Sequence, residues 1–161
     1  MSFASMLQGL TGASVRFSVI GGVAAAAHGS ERVTNDLDVC YDTDEENVCR
    51  FAHLLSSWNA YPRGIEPGLP FFMDARQFRI QSGMTLTTRE GEIDLLAHVD
   101  GLGNYAAVMA ESIEVEGFDV RFYVLDLPGL ITAKRAANRD KDVAQLPELE
   151  ALLALREEEE R

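Results

Sequence analysis

The sequence is short of most of what builds a stapled, zinc-bound or membrane-spanning protein. Of its 161 residues, 2 are cysteine, Cys40 and Cys49, with no second pair and no zinc-type spacing, so neither a disulfide framework nor a structural zinc site is expected. Both thiols fall in segments that read as buried strand and helix, which predicts inert core cysteines. The 3 histidines, His28, His53 and His98, have no cluster partner, and none reads as a metal ligand. His28, beside Gly29, reads as a structural hydrogen-bonding group at a helix end. No apolar run approaches the ~20 residues that cross a bilayer, so no membrane contact is expected. Met1 to Leu10 lacks the basic start of a signal peptide, and the cytoplasm is the expected location. Bases are scarce: 14 Lys and Arg against 26 Asp and Glu give a net charge of -12. That argues against a broad nucleic-acid footprint, which depends on clustered Lys and Arg, but not against a small basic cleft or a basic partner.

What is present fits one ordinary globular domain over residues 1–161, with 47% hydrophobic and 25% charged residues. Residues 157–161 read as a frayed acidic tail. Ser2 to Leu10 reads as a short helix, Val15 to Ile20 as a strand, Val23 to His28 as an alanine-rich helix and Asp36 to Tyr41 as a strand. Thr43 with Glu46 reads as a capping box for a helix reaching Trp58, with Val48, Phe51, Ala52, Leu55 and Trp58 on its apolar face. Asn59 to Pro70 reads as a loop over the site, and Phe71 to Met73 and Phe78 to Ile80 as short extended pieces. Met84 to Thr88 and Glu92 to Ala97 form one expected hairpin, and Ile113 to Glu116 and Val120 to Val124 a second. Asn104 to Ala110 is a short helix, and from Leu127 the pattern is helical, broken at Pro147. Interleaved strands and helices predict an α/β (α+β) domain.

The most informative stretch is Gly21-Gly22 followed by Asp36-Leu37-Asp38-Val39. Carboxylates at i and i+2 on a strand share a face and can hold Mg²⁺ or Mn²⁺, hard cations that take oxygen ligands. A glycine pair at a strand-to-helix turn lets a triphosphate approach backbone N–H groups. A third acid, Asp94, sits in the apolar run Ile93-Asp94-Leu95, where a carboxylate is costly unless paired or metal-bound; Glu92, nearer the turn, reads as solvated. Three carboxylates could hold two Mg²⁺, one activating an acceptor hydroxyl and one steadying the triphosphate. Lys134 and Lys141, seven apart, are read as sharing a helix face, and with Arg135 and Arg139 they form a basic cluster suited to an anion. Asp142 reads as orienting one of these bases. Arg32 is a candidate phosphate contact, balanced against plain turn chemistry. Trp58, Phe71 and Phe72 fit core or lid packing better than base stacking.

These residues resemble a known family. Gly21-Gly22…Asp36-Leu37-Asp38-Val39…Asp94 is similar to the signature of the nucleotidyltransferase (polymerase-beta-like) superfamily. The fuller run, with Val23-Ala24, His28-Gly29, Arg32 and Thr34, resembles the branch of AbiEii-type toxins of type IV toxin–antitoxin systems, as does Lys134…Arg139-Asp140-Lys141-Asp142…Leu146-Pro147-Glu148-Leu149. Where that branch repeats an aspartate in Asp-x-x-Asp-Leu, this chain has Gln145, which hydrogen-bonds but carries no charge. The resemblance implies a mixed central sheet with flanking helices and a C-terminal helical segment. It also implies divalent-metal dependence and NMP transfer from an NTP to a hydroxyl of RNA, protein or a small molecule, and it suggests a cognate antitoxin as partner. The residues expected to carry this are Asp36, Asp38 and Asp94 as catalytic metal ligands, with Gly21, Gly22, Arg32, Lys134, Arg139 and Lys141 around the phosphates. Two other readings stay open: a catalytically degenerate binding or regulatory module of the same fold, and an Asp-x-Asp phosphatase. The phosphatase leaves the glycines unexplained.

Overall fold

The computed structural model describes residues 2–66 and 68–161; Pro67, in the expected loop, lies outside the described residues. The chain opens with α1 (Phe3–Gly12), capped by the Ser2 side chain, which accepts from the Ser5 amide. Then come β1 (Phe17–Ile20), α2 (Gly21–Ala27), β2 (Asp36–Tyr41) and α3 (Glu45–Ser57). A short β3 (Tyr61–Pro62) and α4 (Ala75–Ile80) precede the hairpin of β4 (Gly83–Thr88) and β5 (Gly91–Leu96). The ribbon of β6 (His98–Val99) and β7 (Gly103–Asn104) leads to α5 (Tyr105–Ala110). The second hairpin, β8 (Ser112–Gly117) and β9 (Val120–Leu125), turns through Phe118 and Asp119, both at positive φ. Two helices close the chain, α6 (Leu127–Ala137) and α7 (Asp140–Glu159). No helix among the described residues is long and apolar enough to cross a membrane.

Seven strands form one mixed sheet in the order β3-β4-β5-β2-β1-β9-β8. The pairs β2–β5 and β1–β9 are parallel and the others antiparallel. Alternation along β2 sends Leu37, Val39 and Tyr41 to one face, where the Tyr41 ring meets Phe51 of α3 and Phe78 of α4 edge-on, at centroid distances of 5.9 and 5.1 Å. Asp36, Asp38 and Cys40 take the other face. Ser18, paired with Cys40, bonds Ser112 there at 2.8 Å, and Ser112 donates to Val108 of α5 at 2.7 Å. Val19, Leu37, Val39, Ile93 and Leu95 are fully buried, so the strands that carry the acids are also the centre of the core.

Several local expectations are corrected. The Thr43/Glu46 capping box does not form: Asp44 takes the cap position without a side-chain bond to the helix, its carboxylate lying 3.0 Å from Arg16 Nη2. Instead the buried Asn47 ties the helix start to the end of β2 and the approach to β1. It donates to the Arg16 and Asp42 carbonyls at 3.1 and 2.7 Å and accepts the Arg16 amide at 2.6 Å. Phe78 to Ile80 belong to α4, not to an extended piece, because Asp74 caps that turn by accepting from the Arg76 amide at 2.9 Å. The C-terminal helices break at Asn138, in the left-handed region at φ 52, while Pro147 stands inside α7. A left-handed residue reverses the chain, whereas an interior proline forfeits one N–H and can leave the helix continuous. Cys40 is buried as expected, its thiol pushed up to about 12 by burial; Cys49 is exposed, on the outer side of α3.

Candidate functional site

The parallel pairing of β2 with β5 sets Asp36 opposite Glu92 and Asp38 opposite Asp94. One carboxylate oxygen from each of Asp36, Asp38 and Asp94 lies within 4.8 Å of the others. Like charges facing each other across strands are destabilising, and the strain registers on Asp38. Burial first, then the charge and hydrogen bond of Asp94 and the charge of Asp36, push its carboxyl up to about 7, with Lys134 pulling the other way. Among the described residues, Oδ1 of Asp38 is buried without a hydrogen-bond partner, and the buried Oδ1 of Asp94 is ion-paired with Arg63 at 2.9 Å. Three convergent carboxylate oxygens, with that of Asp38 left unsatisfied, are what a hard divalent cation takes, so the residues present fit Mg²⁺ or Mn²⁺. Glu92 is 42% exposed and stands outside this triad.

The glycine pair lies at the start of α2, against this face. Gly21 has φ +65, and a Cβ there would stand 2.2 Å from Asp38 Oδ2. A Cβ at Gly22 would stand 2.6 Å from Thr34 Oγ1. Both glycines therefore make room for site side chains, a packing role that the sequence reading did not assign.

The basic residues converge by a different route from the one expected. Lys134 is on α6 and Lys141 on α7, so they do not share a helix face; the left-handed Asn138 folds one helix back on the other. Between them Asp142 is fully buried, bonded by Lys134 Nζ at 3.2 Å and by Arg139 Nε at 2.6 Å. Burial alone would raise its carboxyl, but the Arg139 and Lys134 hydrogen bonds outweigh it and hold Asp142 at about 2. Lys134, Arg139 and Lys141 line a pocket of about 170 Å³ with Gly22, Arg32 and Asp38, and Gln145 is in its wall. Arg32 Nη2 donates to the Ala144 carbonyl at 3.1 Å. Arg135 leaves the expected cluster and pairs with Glu150 at 2.7 Å. His28 Nε2 bonds the Leu125 carbonyl at 3.0 Å, the structural role expected of it. Trp58 is buried in the core, and Phe72 is exposed.

Arg63 was not singled out by the sequence. It follows β3 between Pro62 and Gly64, and no spacing marks it. Its guanidinium enters the carboxylate cluster, with Nη2 2.9 Å from Asp94 Oδ1, Nη1 3.7 Å from Asp36 Oδ2 and Nε 3.4 Å from Glu92 Oε2. The residue is tied to β4 twice, by its amide to the Thr85 carbonyl at 2.9 Å and by Nη2 to the Leu86 carbonyl at 2.8 Å. Beyond it opens a second cavity of about 580 Å³, lined by the triad, Arg63, Phe71, Gln81, Thr85, Arg139 and Lys141.

No family model and no curated protein matches the chain. Among solved structures, the chain is similar to a crystal structure from Thermotoga maritima described as a "putative nucleotidyltransferase", with a TM-score of 0.51 at 14% identity, covering 100% of this chain and 97% of that one. At that identity the likeness is one of fold. The chain has a nucleotidyltransferase-like fold, a mixed seven-stranded sheet with helices and a C-terminal helix pair, and it carries Asp36, Asp38 and Asp94 as a candidate metal site.

Proposed function

We propose that this chain transfers a nucleoside monophosphate from an NTP to an acceptor hydroxyl, releasing pyrophosphate. The observation that carries the reading is the triad: three aspartates whose oxygens converge within 4.8 Å, beside a pocket lined by Arg32, Lys134, Arg139 and Lys141. Mg²⁺ or Mn²⁺ held by Asp36, Asp38 and Asp94 would supply positive charge to the transferring phosphoryl group. The cations of the smaller pocket, with the backbone at Gly21 and Gly22, hold the phosphates and neutralise the departing pyrophosphate. Asp142 keeps Lys134 and Arg139 in place. The acceptor oxygen bonds to the α-phosphorus as the bond to the β-phosphate's bridging oxygen breaks, and the acceptor's proton passes to Asp94.

The test is incubation with Mg²⁺, each α-labelled NTP and separate RNA, protein and small-molecule pools. Label should move to an acceptor, and Asp36→Ala and Asp38→Ala should each abolish the transfer; labelling that survives both substitutions would sink the assignment. Sequence likeness of the Lys134 to Leu149 run supports an AbiEii-type toxin role, for which growth arrest on expression, relieved by a neighbouring gene product, is the expected result. One observation favours the degenerate binding module instead: Arg63 already supplies the triad with a cation. Mg²⁺-dependent NTP binding without transfer to any pool would select that module.

A further inference from the structure

An in-line displacement places the attacking hydroxyl and the departing pyrophosphate on opposite sides of the α-phosphorus. With the phosphates in the smaller pocket by Gly22, Arg32 and Lys134, the acceptor must enter from the side of Asp94. The cavity on that side is the one of about 580 Å³, whose wall is built by β4, β5 and Pro62, Arg63, Ile65 and Phe71. We propose that this cavity takes a small hydroxyl acceptor bearing an anionic group, and that Arg63 is the residue that recognises the group; the inference rests on the nucleotidyl-transfer reading.

Three observations support it. The volume lies within the roughly 300–1,000 Å³ of small-molecule sites, and a polynucleotide would need a track of bases that a chain with net charge -12 is poorly supplied to provide. Within this acidic chain the cavity carries, beside the three aspartates of the triad, Arg63, Arg139 and Lys141, set against the apolar side chains of Phe71 and Met84. Arg63 is fixed to β4 through two backbone carbonyls, at 2.9 and 2.8 Å, and its side chain, 26% exposed, lines the cavity. A held guanidinium at a cavity wall is suited to bidentate binding of phosphate or carboxylate. Its present partners, Asp36, Glu92 and Asp94, include two of the three acids of the candidate metal site, so a cation there would compete for them and leave the guanidinium's charge to an anionic ligand.

The test follows backbone amide shifts by NMR in the full chain, saturated with Mg²⁺ and the α,β-methylene analogue of whichever NTP it binds. The probes are ribose 5-phosphate, ribose and a short single-stranded RNA. Ribose 5-phosphate should shift the amides of Phe71, Gln81 and Thr85, and ribose at the same concentration should not. Arg63→Gln should weaken ribose 5-phosphate about tenfold or more, and Arg63→Lys, which keeps the charge but loses the fork, by less. Equal binding of ribose and ribose 5-phosphate, shifts confined to Gly22 and Lys134, or displacement by RNA at lower concentration would each overturn the acceptor assignment. Loss of Mg²⁺-dependent binding of the analogue itself in the wild-type chain would instead remove the nucleotidyl-transfer reading on which it rests.

Discussion

Asp38 shows what a single residue must tolerate at this site. Its carboxyl is pushed up to about 7, above the ordinary carboxylate value of 3.8. The metal-free folded state therefore holds a proton that the unfolded chain gives up. Stability from this group is fully present below pH ~4 and is lost as pH rises through ~7. We predict that the metal-free Tm carries a downward component across that window, that Asp38→Asn removes it, and that Mg²⁺ affinity, read by calorimetry, climbs as pH rises towards ~7. The same substitution should lower transfer by about 10³ or more. Gly21→Ala is expected to cost about 1–2 kcal/mol in urea unfolding and to weaken Mg²⁺ binding, because its Cβ would stand 2.2 Å from Asp38 Oδ2. Asp142 has the opposite sign, held at about 2 by Arg139 and Lys134 despite its burial. Its stabilising contribution is present above pH ~4 and lost as pH falls through ~2. Asp142→Ala should cost about 3 kcal/mol and flatten that acid limb, as followed by circular dichroism.

Among the elements, the strands were legible because period-two alternation and short turns are local. Asp36 to Tyr41 and the hairpins around Glu90-Gly91 and Gly117 announce themselves in a few residues. The misread elements are those whose boundaries are decided by a partner elsewhere. Phe78, in the turn that Asp74 caps, is held by its packing on Tyr41, and α3 starts where Asn47 grips Arg16 and Asp42. The α6–α7 break rests on Asn138 at φ 52, a conformation asparagine tolerates and β-branched residues resist. Asn138→Gly is expected to leave the unfolding midpoint nearly unchanged, whereas Asn138→Val should cost about 1–2 kcal/mol. The valine variant should also weaken NTP-analogue binding, because that reversal brings Lys134 and Lys141 into one pocket.

At the scale of the whole molecule, fold and site share strands but not dependence. The core around Val19, Leu37, Val39, Ile93 and Leu95 is closed by apolar side chains of the strands themselves. Chelation by EDTA is therefore predicted to leave the circular dichroism spectrum unchanged, while millimolar Mg²⁺ with the bound NTP raises the Tm by mass action. A chelator-induced loss of secondary structure would overturn that separation. With a net charge of -12, the chain should not be retained by duplex DNA on a column at ~0.15 M salt, since non-specific retention depends on neutralised phosphates.

The sequence by itself determined the acidic pair on β2, the third acid on β5 and the two hairpins, because strand alternation places side chains without reference to the rest of the chain. It determined the identity of the basic residues but not how they meet, since Lys134 and Lys141 come together through a helix reversal rather than a helix face. Only the tertiary structure decided that Gly21 gives Asp38 its space and that Asp142, expected to orient one base, bridges two, Lys134 and Arg139. It also decided that Arg63 reaches the triad from a loop. The contacts of Gly21 and Arg63 join segments far apart along the chain and leave no periodic trace in the order of the residues, and that of Asp142 with Lys134 depends on the helix reversal at Asn138.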